Sequence, residues 1–248
     1  MCITLLPASL TNTKILTIRL QNGRHFTAYS NNVKNLSGKP NAMILPIPGI
    51  TKPEWFHDTT MYNNFLDEIA EATKVTYRSL RLGANAKGVA FTEFVLGIYQ
   101  VGLADSFQGA EAFIDSLPES KRPDVSQVLR DFFSAHYKGY SFAVCVFSAD
   151  ETSASQPIAY EYEPANSEIL FYPTMDAHDG SAPAEGQIVD VDHTFIFVES
   201  AGSQVNFSQN VPDFIKSSRY RQWQVVGPDI NGDVVLTKET FKREFKID

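Results

Sequence analysis

Residues 14–29 read Lys14-Ile15-Leu16-Thr17-Ile18-Arg19-Leu20, then Gln21-Asn22-Gly23-Arg24, then His25-Phe26-Thr27-Ala28-Tyr29. Two runs rich in β-branched and aromatic side chains flank a short polar segment. The Asn-Gly pair inside it suits the positive φ of a tight hairpin turn. The stretch therefore predicts an antiparallel β-hairpin. A chain that opens this way and later mixes strands with helical periodicity is expected to be α+β.

Working outward, residues 31–40 are polar with Gly and Pro and read as a loop. Residues 42–49 form an apolar run broken by Pro46 and Pro48, which predicts an edge or strand-terminal segment. A helix is expected over 60–73, with Met61, Phe65, Leu66, Ile69 and Thr73 on one face and Asp58 or Thr59 as N-cap. Strands are expected at 89–101 around Gly97, followed by helices at 106–117 and 123–136. The second helix places Val125, Val128, Leu129, Phe132, Phe133 and His136 at helical spacing, with Pro123 in its first turn. Further strands are expected at 141–148, 157–162, 169–172, 191–199 and 222–226, with 150–156 as a hydrophilic turn. A second Asn-Gly turn, Asn231-Gly232, precedes a strand at 233–236, and 237–248 has helical spacing. The expected architecture is largely antiparallel sheet with a central helical insertion. No linker or repeat divides it, so residues 1–248 read as a single α+β domain in which 103–140 is the one candidate subdivision.

With 43% hydrophobic and 20% charged residues, the composition is that of a globular chain and excludes disorder and coiled coil. A net charge of −8 argues against binding a nucleic-acid backbone. No stretch approaches the ~20 apolar residues of a membrane helix, and the opening residues lack the basic start of a signal peptide. Two cysteines are too few for a secreted disulfide framework, so a cytoplasmic location is expected.

Chemistry-bearing residues fall into two groups. Cys2 would follow removal of Met1 as a terminal thiol beside a free amine able to act as its base. The richer group is Asp176, His178 and Asp179, followed by Asp192 and His193 at the start of a later strand. Asp176, His178, Asp179 and His193 are ligand types for a divalent metal such as Zn²⁺, Mn²⁺ or Fe²⁺. His178, His193 and Asp192 equally suit a base oriented by a carboxylate. The same residue types also build turns and tie loops together. His136 reads as a packing residue, Cys145 as a buried thiol, and residues 229–233 as a hairpin turn rather than a calcium loop. No dinucleotide, phosphate-loop or serine-hydrolase motif is present.

The apolar opening at Cys2 with its following hairpin resembles the start of cysteine-type N-terminal-nucleophile hydrolases over about thirty residues. Those enzymes place an Arg and an Asp soon after the second strand, where residues 26–33 here carry neither. Asn41-Ala42-Met43-Ile44-Leu45-Pro46, Leu170-Phe171-Tyr172-Pro173-Thr174 and Asp192-His193-Thr194 resemble a family of uncharacterised bacterial proteins. That family carries N-A-M-I-L-P, L-F-x-P-T-x-H-x-H-D-G and D-H-T segments, and Asp176 stands where its pattern has the first His. The resemblance spans roughly 41–198 and implies no activity. Two function classes follow: a hydrolase built on the Asp/His cluster, with or without a metal, or a non-enzymatic component binding a protein partner or its own copies.

Overall fold

The computed structural model describes residues 3–73, 75–76, 91–237 and 240. In chain order the strands begin with β1 (Ile3–Thr4), β2 (Ala8–Arg19), β3 (His25–Asn35), β4 (Asn41–Ile47), β5 (Gly49–Ile50), β6 (Phe56–His57) and β7 (Val75–Thr76). They continue with β8 (Phe91–Leu96), β9 (Tyr99–Ala104), β10 (Ser141–Phe147), β11 (Thr152–Ala154) and β12 (Ile158–Pro164). The last four are β13 (Leu170–Tyr172), β14 (Ile188–Gln204), β15 (Arg219–Ile230) and β16 (Val234–Leu236). The helices are α1 (Phe65–Ala72), α2 (Phe107–Ser116), α3 (Gln127–His136) and α4 (Asp213–Lys216).

The strands form a five-stranded sheet ordered β1-β4-β10-β9-β8, a nine-stranded sheet, and the separate pair β13-β16. The larger sheet runs β5-β12-β3-β2-β14-β15-β7, with β11 joining β3 and β6 joining β12. Pairing is antiparallel except for β2 with β14 and β7 with β15. The class is mixed α+β and rich in sheet, as the sequence predicts.

Side-chain alternation sorts these sheets into four layers. Met43, Leu45 and Ile47 of β4 and Ala143, Cys145 and Phe147 of β10 face Ile15, Tyr29, Tyr160, Phe195 and Trp223 of the larger sheet. The alternate residues Ala42, Ile44, Phe142, Val144 and Val146 face Phe107, Phe113, Leu129 and Phe133 of α2 and α3. On the far side of the larger sheet, Leu16, Ile18, Phe26, Ala28 and Ile196 cover Phe65, Leu66 and Ile69 of α1 and Ile215 of α4. Strands β4 and β10 are thus buried on both faces, which is why each is predominantly apolar without an alternating polar face.

The first hairpin forms as expected: Leu20 N–H donates to Arg24 O at 2.8 Å, and Gly23 takes φ +86°. Beyond it several expectations are corrected. Residues 31–35 extend β3 instead of looping, because β2 and β11 both pair with them. β4 lies between β1 and β10 rather than at an edge. β1 covers only Met43 and Ile44, so Pro46 falls where one side of β4 has no partner strand. α3 starts at Gln127, capped by the Ser126 hydroxyl that accepts from Leu129 N–H, and Pro123 precedes it. Met61 is 77% exposed and does not share the buried face of α1. The second Asn-Gly turn makes no hairpin, since β16 leaves β15 and pairs with β13. The helical tail expected over 237–248 lies outside the described residues except at Thr237 and Thr240.

Candidate functional site

The Asp/His cluster is built on residues 173–187, which link β13 to β14. Asp233 holds the start of this segment: its Oδ1 accepts from Thr174 N–H (2.8 Å) and Met175 N–H (3.0 Å), and its Oδ2 from Tyr137 Oη (2.7 Å). Asn231 holds the next residue from both sides. Asp176 N–H donates to Asn231 Oδ1 at 2.7 Å, and Asn231 Nδ2 donates to Asp176 O at 2.8 Å. The chain then runs beside β1, with Ala177 bridging Ile3, Thr4 N–H donating to Ala177 O and Ala8 N–H donating to His178 O.

This placement brings Asp176, His178 and His193 together. Asp176 Oδ1 lies 3.3 Å from His178 Nε2, and its Oδ2 lies 3.5 Å from His193 Nε2. Burial opposes the charge on Asp176, yet the carboxyl is held well below its usual range, helped by its contacts with His178 and His193. Burial pushes the His193 imidazole down, only partly offset by Asp176. His193 is therefore a neutral ring at neutral pH, set edge-on to Phe195. A cavity of about 370 Å³ beside the cluster is lined by Asp176, His178, Asp179, Ser181, Asp190 and Asn231.

The other candidates serve the backbone. Asp179 Oδ1 accepts from Ser181 N–H at 2.9 Å and from its hydroxyl at 2.6 Å, and these bonds lower the carboxyl's pKa. Asp192 Oδ2 accepts from Asn12 N–H at 2.7 Å. That bond steadies Asn12 at φ +54°, where the β2–β3 register shifts. Among the described residues no group of three or more His, Cys, Asp or Glu is arranged to hold a metal ion. Each imidazole Nε2 lies against a different oxygen of Asp176, and Asp179 is engaged by Ser181. Cys2 lies outside the described residues.

Tyr137 and the anchoring roles of Asn231 and Asp233 escaped the sequence reading, which took residues 229–233 as a hairpin turn. Burial raises the Asp233 carboxyl, opposed by its bonds from Tyr137, Met175 and Thr174. At the opposite end of the two sheets, a larger cavity of about 580 Å³ is lined by Gly49, Lys52, Phe91, Leu103, Asp105 and Glu163, among others.

The buried histidines fix a pH response. His25 is 2% exposed, and burial together with the nearby Arg19 lowers its pKa from 6.5 to about 4. His193 shifts in the same direction. The unfolded chain therefore binds these protons first. Stability is full above pH ~6.5 and falls as the pH drops toward 4, by about 3 kcal/mol at most for His25. Thermal melts stepped from pH 7.5 to 4.5 are expected to show Tm falling across this window, with a shallower slope in His25→Gln. A flat profile would overturn the assignment.

No protein-family model matches the sequence, and no curated protein matches it at a significant level. The architecture, a helix-flanked pair of stacked sheets, does have counterparts among solved structures. It is similar to baculovirus P35, with a TM-score of 0.57 at 14% identity, covering 95% of this chain and 99% of that one. It is also similar to a mutated baculovirus P35 after caspase cleavage, with a TM-score of 0.52 at 15% identity, covering 92% and 98%. At these identities the likeness establishes the fold.

Proposed function

We propose that this chain is a non-enzymatic protein-binding module whose partner is a cysteine protease of the caspase class. The observation that carries the reading is the fold shared, end to end, with a protein whose structure was determined after caspase cleavage. The chemistry of the Asp/His cluster agrees with it. Asp176 is clasped by two imidazoles, Asp179 closes a turn and Asp192 holds a bulge, so these side chains are spent on the fold.

The test is titration of the purified chain into a panel of active caspases, with hydrolysis of a fluorogenic peptide as readout. The expected result is dose-dependent loss of peptidase activity for at least one enzyme, with a stable complex on size exclusion. Full activity across the panel and no co-elution would overturn the reading.

A further inference from the structure

We infer that the cavity of about 580 Å³ between the ends of the two sheets binds a primary amine carried on an apolar body, with Asp105 receiving its ammonium. The inference goes beyond the protease-partner reading and does not rest on it. The cavity opens where β5 and the end of β12 face the start of β8, the end of β9 and the start of β10. Ile50 and Phe91, two of the large apolar side chains that the fold leaves in water, belong to its wall at 62% and 41% exposed. A hollow of this size, mostly apolar and with few polar groups, is the usual form of a small-molecule site.

What those polar groups already do decides the ligand. The Thr51 hydroxyl donates to Glu161 O at 2.7 Å and the Ser141 hydroxyl to Gly49 O at 2.8 Å, so both are engaged. The Lys52 ammonium lies 4.8 Å from the centroid of the Trp55 ring, and Trp55 is not part of the cavity wall. Asp105 differs from all of these. Its Oδ1 is shut off from solvent and accepts no hydrogen bond, and among the described residues it forms no ion pair.

Helix capping does not account for Asp105. It precedes α2, but the cap is Ser106, whose hydroxyl accepts from Gly109 N–H at 3.1 Å. A buried acceptor without a donor is a standing cost to the fold. Burial also pushes the carboxyl's pKa up, the direction taken by a carboxylate that lacks a counter-charge. An ammonium supplies both missing parts, hydrogens to donate and a positive charge. Glu163, exposed at the rim, adds a second negative charge and favours a cation over an anion. The apolar body has room as well. Pro164 and Ala165 also wall a second hollow of about 260 Å³, faced by Ile169, Phe171 and Val235.

The full chain is titrated with phenethylamine and, separately, with phenethyl alcohol, an uncharged molecule of nearly the same shape, and followed by NMR. The amine is expected to saturate with amide shifts centred on Leu103, Ala104 and Gly139, and to bind about tenfold or more tightly than the alcohol. Asp105→Asn keeps the side chain's shape and is expected to melt at or above the parent temperature, because it removes a partly buried charge. In that variant the amine loses its advantage while the alcohol binds as before. Ala165→Trp fills the cavity from an exposed position and is expected to exclude both probes. Equal affinity for amine and alcohol, or an amine advantage that survives in Asp105→Asn, overturns recognition by Asp105. Shifts centred elsewhere, or no saturation by either probe, overturn the cavity as a site. The caspase titration is independent of every one of these outcomes, so the two readings fail separately.

Discussion

Asp233→Ala is expected to lower the unfolding free energy by about 3–5 kcal/mol, the largest loss from any single polar side chain here. Three donors converge on this fully buried carboxylate: the Tyr137 hydroxyl and the backbone N–H groups of Thr174 and Met175. Truncation leaves all three buried without an acceptor, and each such orphan costs ~1–3 kcal/mol. The damage concentrates where the chain leaves β13, because Asp233 and Asn231 together set the path of residues 174–176. Asp233→Asn retains an acceptor oxygen and is expected to lose roughly half as much. Urea unfolding of the two variants checks this. A loss below ~1 kcal/mol for the alanine variant would show that the segment finds its course without the anchor.

Gly49→Ala is expected to cost about 2–4 kcal/mol through a backbone collision rather than a lost contact. A Cβ at Gly49 would overlap the Glu163 carbonyl oxygen and crowd Pro164 Cα. Gly49 pairs with Pro164 across β5 and β12, its carbonyl accepts from the Ser141 hydroxyl at 2.8 Å, and Ala165 N–H donates to Pro48 O beside it. One methyl group therefore forces apart the joint between the larger sheet and the start of β10. The same joint walls the 580 Å³ cavity, so chemical-shift changes at Leu103, Ala104 and Gly139 should accompany the loss. Stability within ~0.5 kcal/mol of the parent would mean that β5 can slide away at little cost.

What the sequence disclosed follows from where each segment finds its partners. The first hairpin is local, so Asn22-Gly23 and the flanking alternation announce it. β10 announces itself because both faces are covered. Residues 31–35 do not: Asn31, Asn32 and Asn35 look like loop residues, and only pairing with β2 and with β11, over a hundred positions away, makes them strand. The full lengths of β14 and β15 were hidden for the same reason, since their polar ends are held by each other. At the cluster, the proximity of Asp176, His178 and His193 was legible from residue type and strand ends. The roles of Asp179 and Asp192 depend on which N–H each accepts from, and the importance of Asn231 and Asp233 depends on β16 pairing with β13. No local pattern records either.

The parallel pairing of β2 with β14 joins Thr13 to His193 and Phe197 to Thr17. During synthesis the first hairpin therefore waits for about 160 further residues before its neighbour exists. At ~5–20 residues per second that is roughly eight to thirty seconds. Throughout that interval Ile15, Leu16 and Ile18 line an unclosed strand edge, an open invitation to intermolecular pairing. The newborn chain thus has to be kept from its own copies until its second half arrives. Yield on expression should respond more to translation speed and chaperone supply than to the stability of the finished fold.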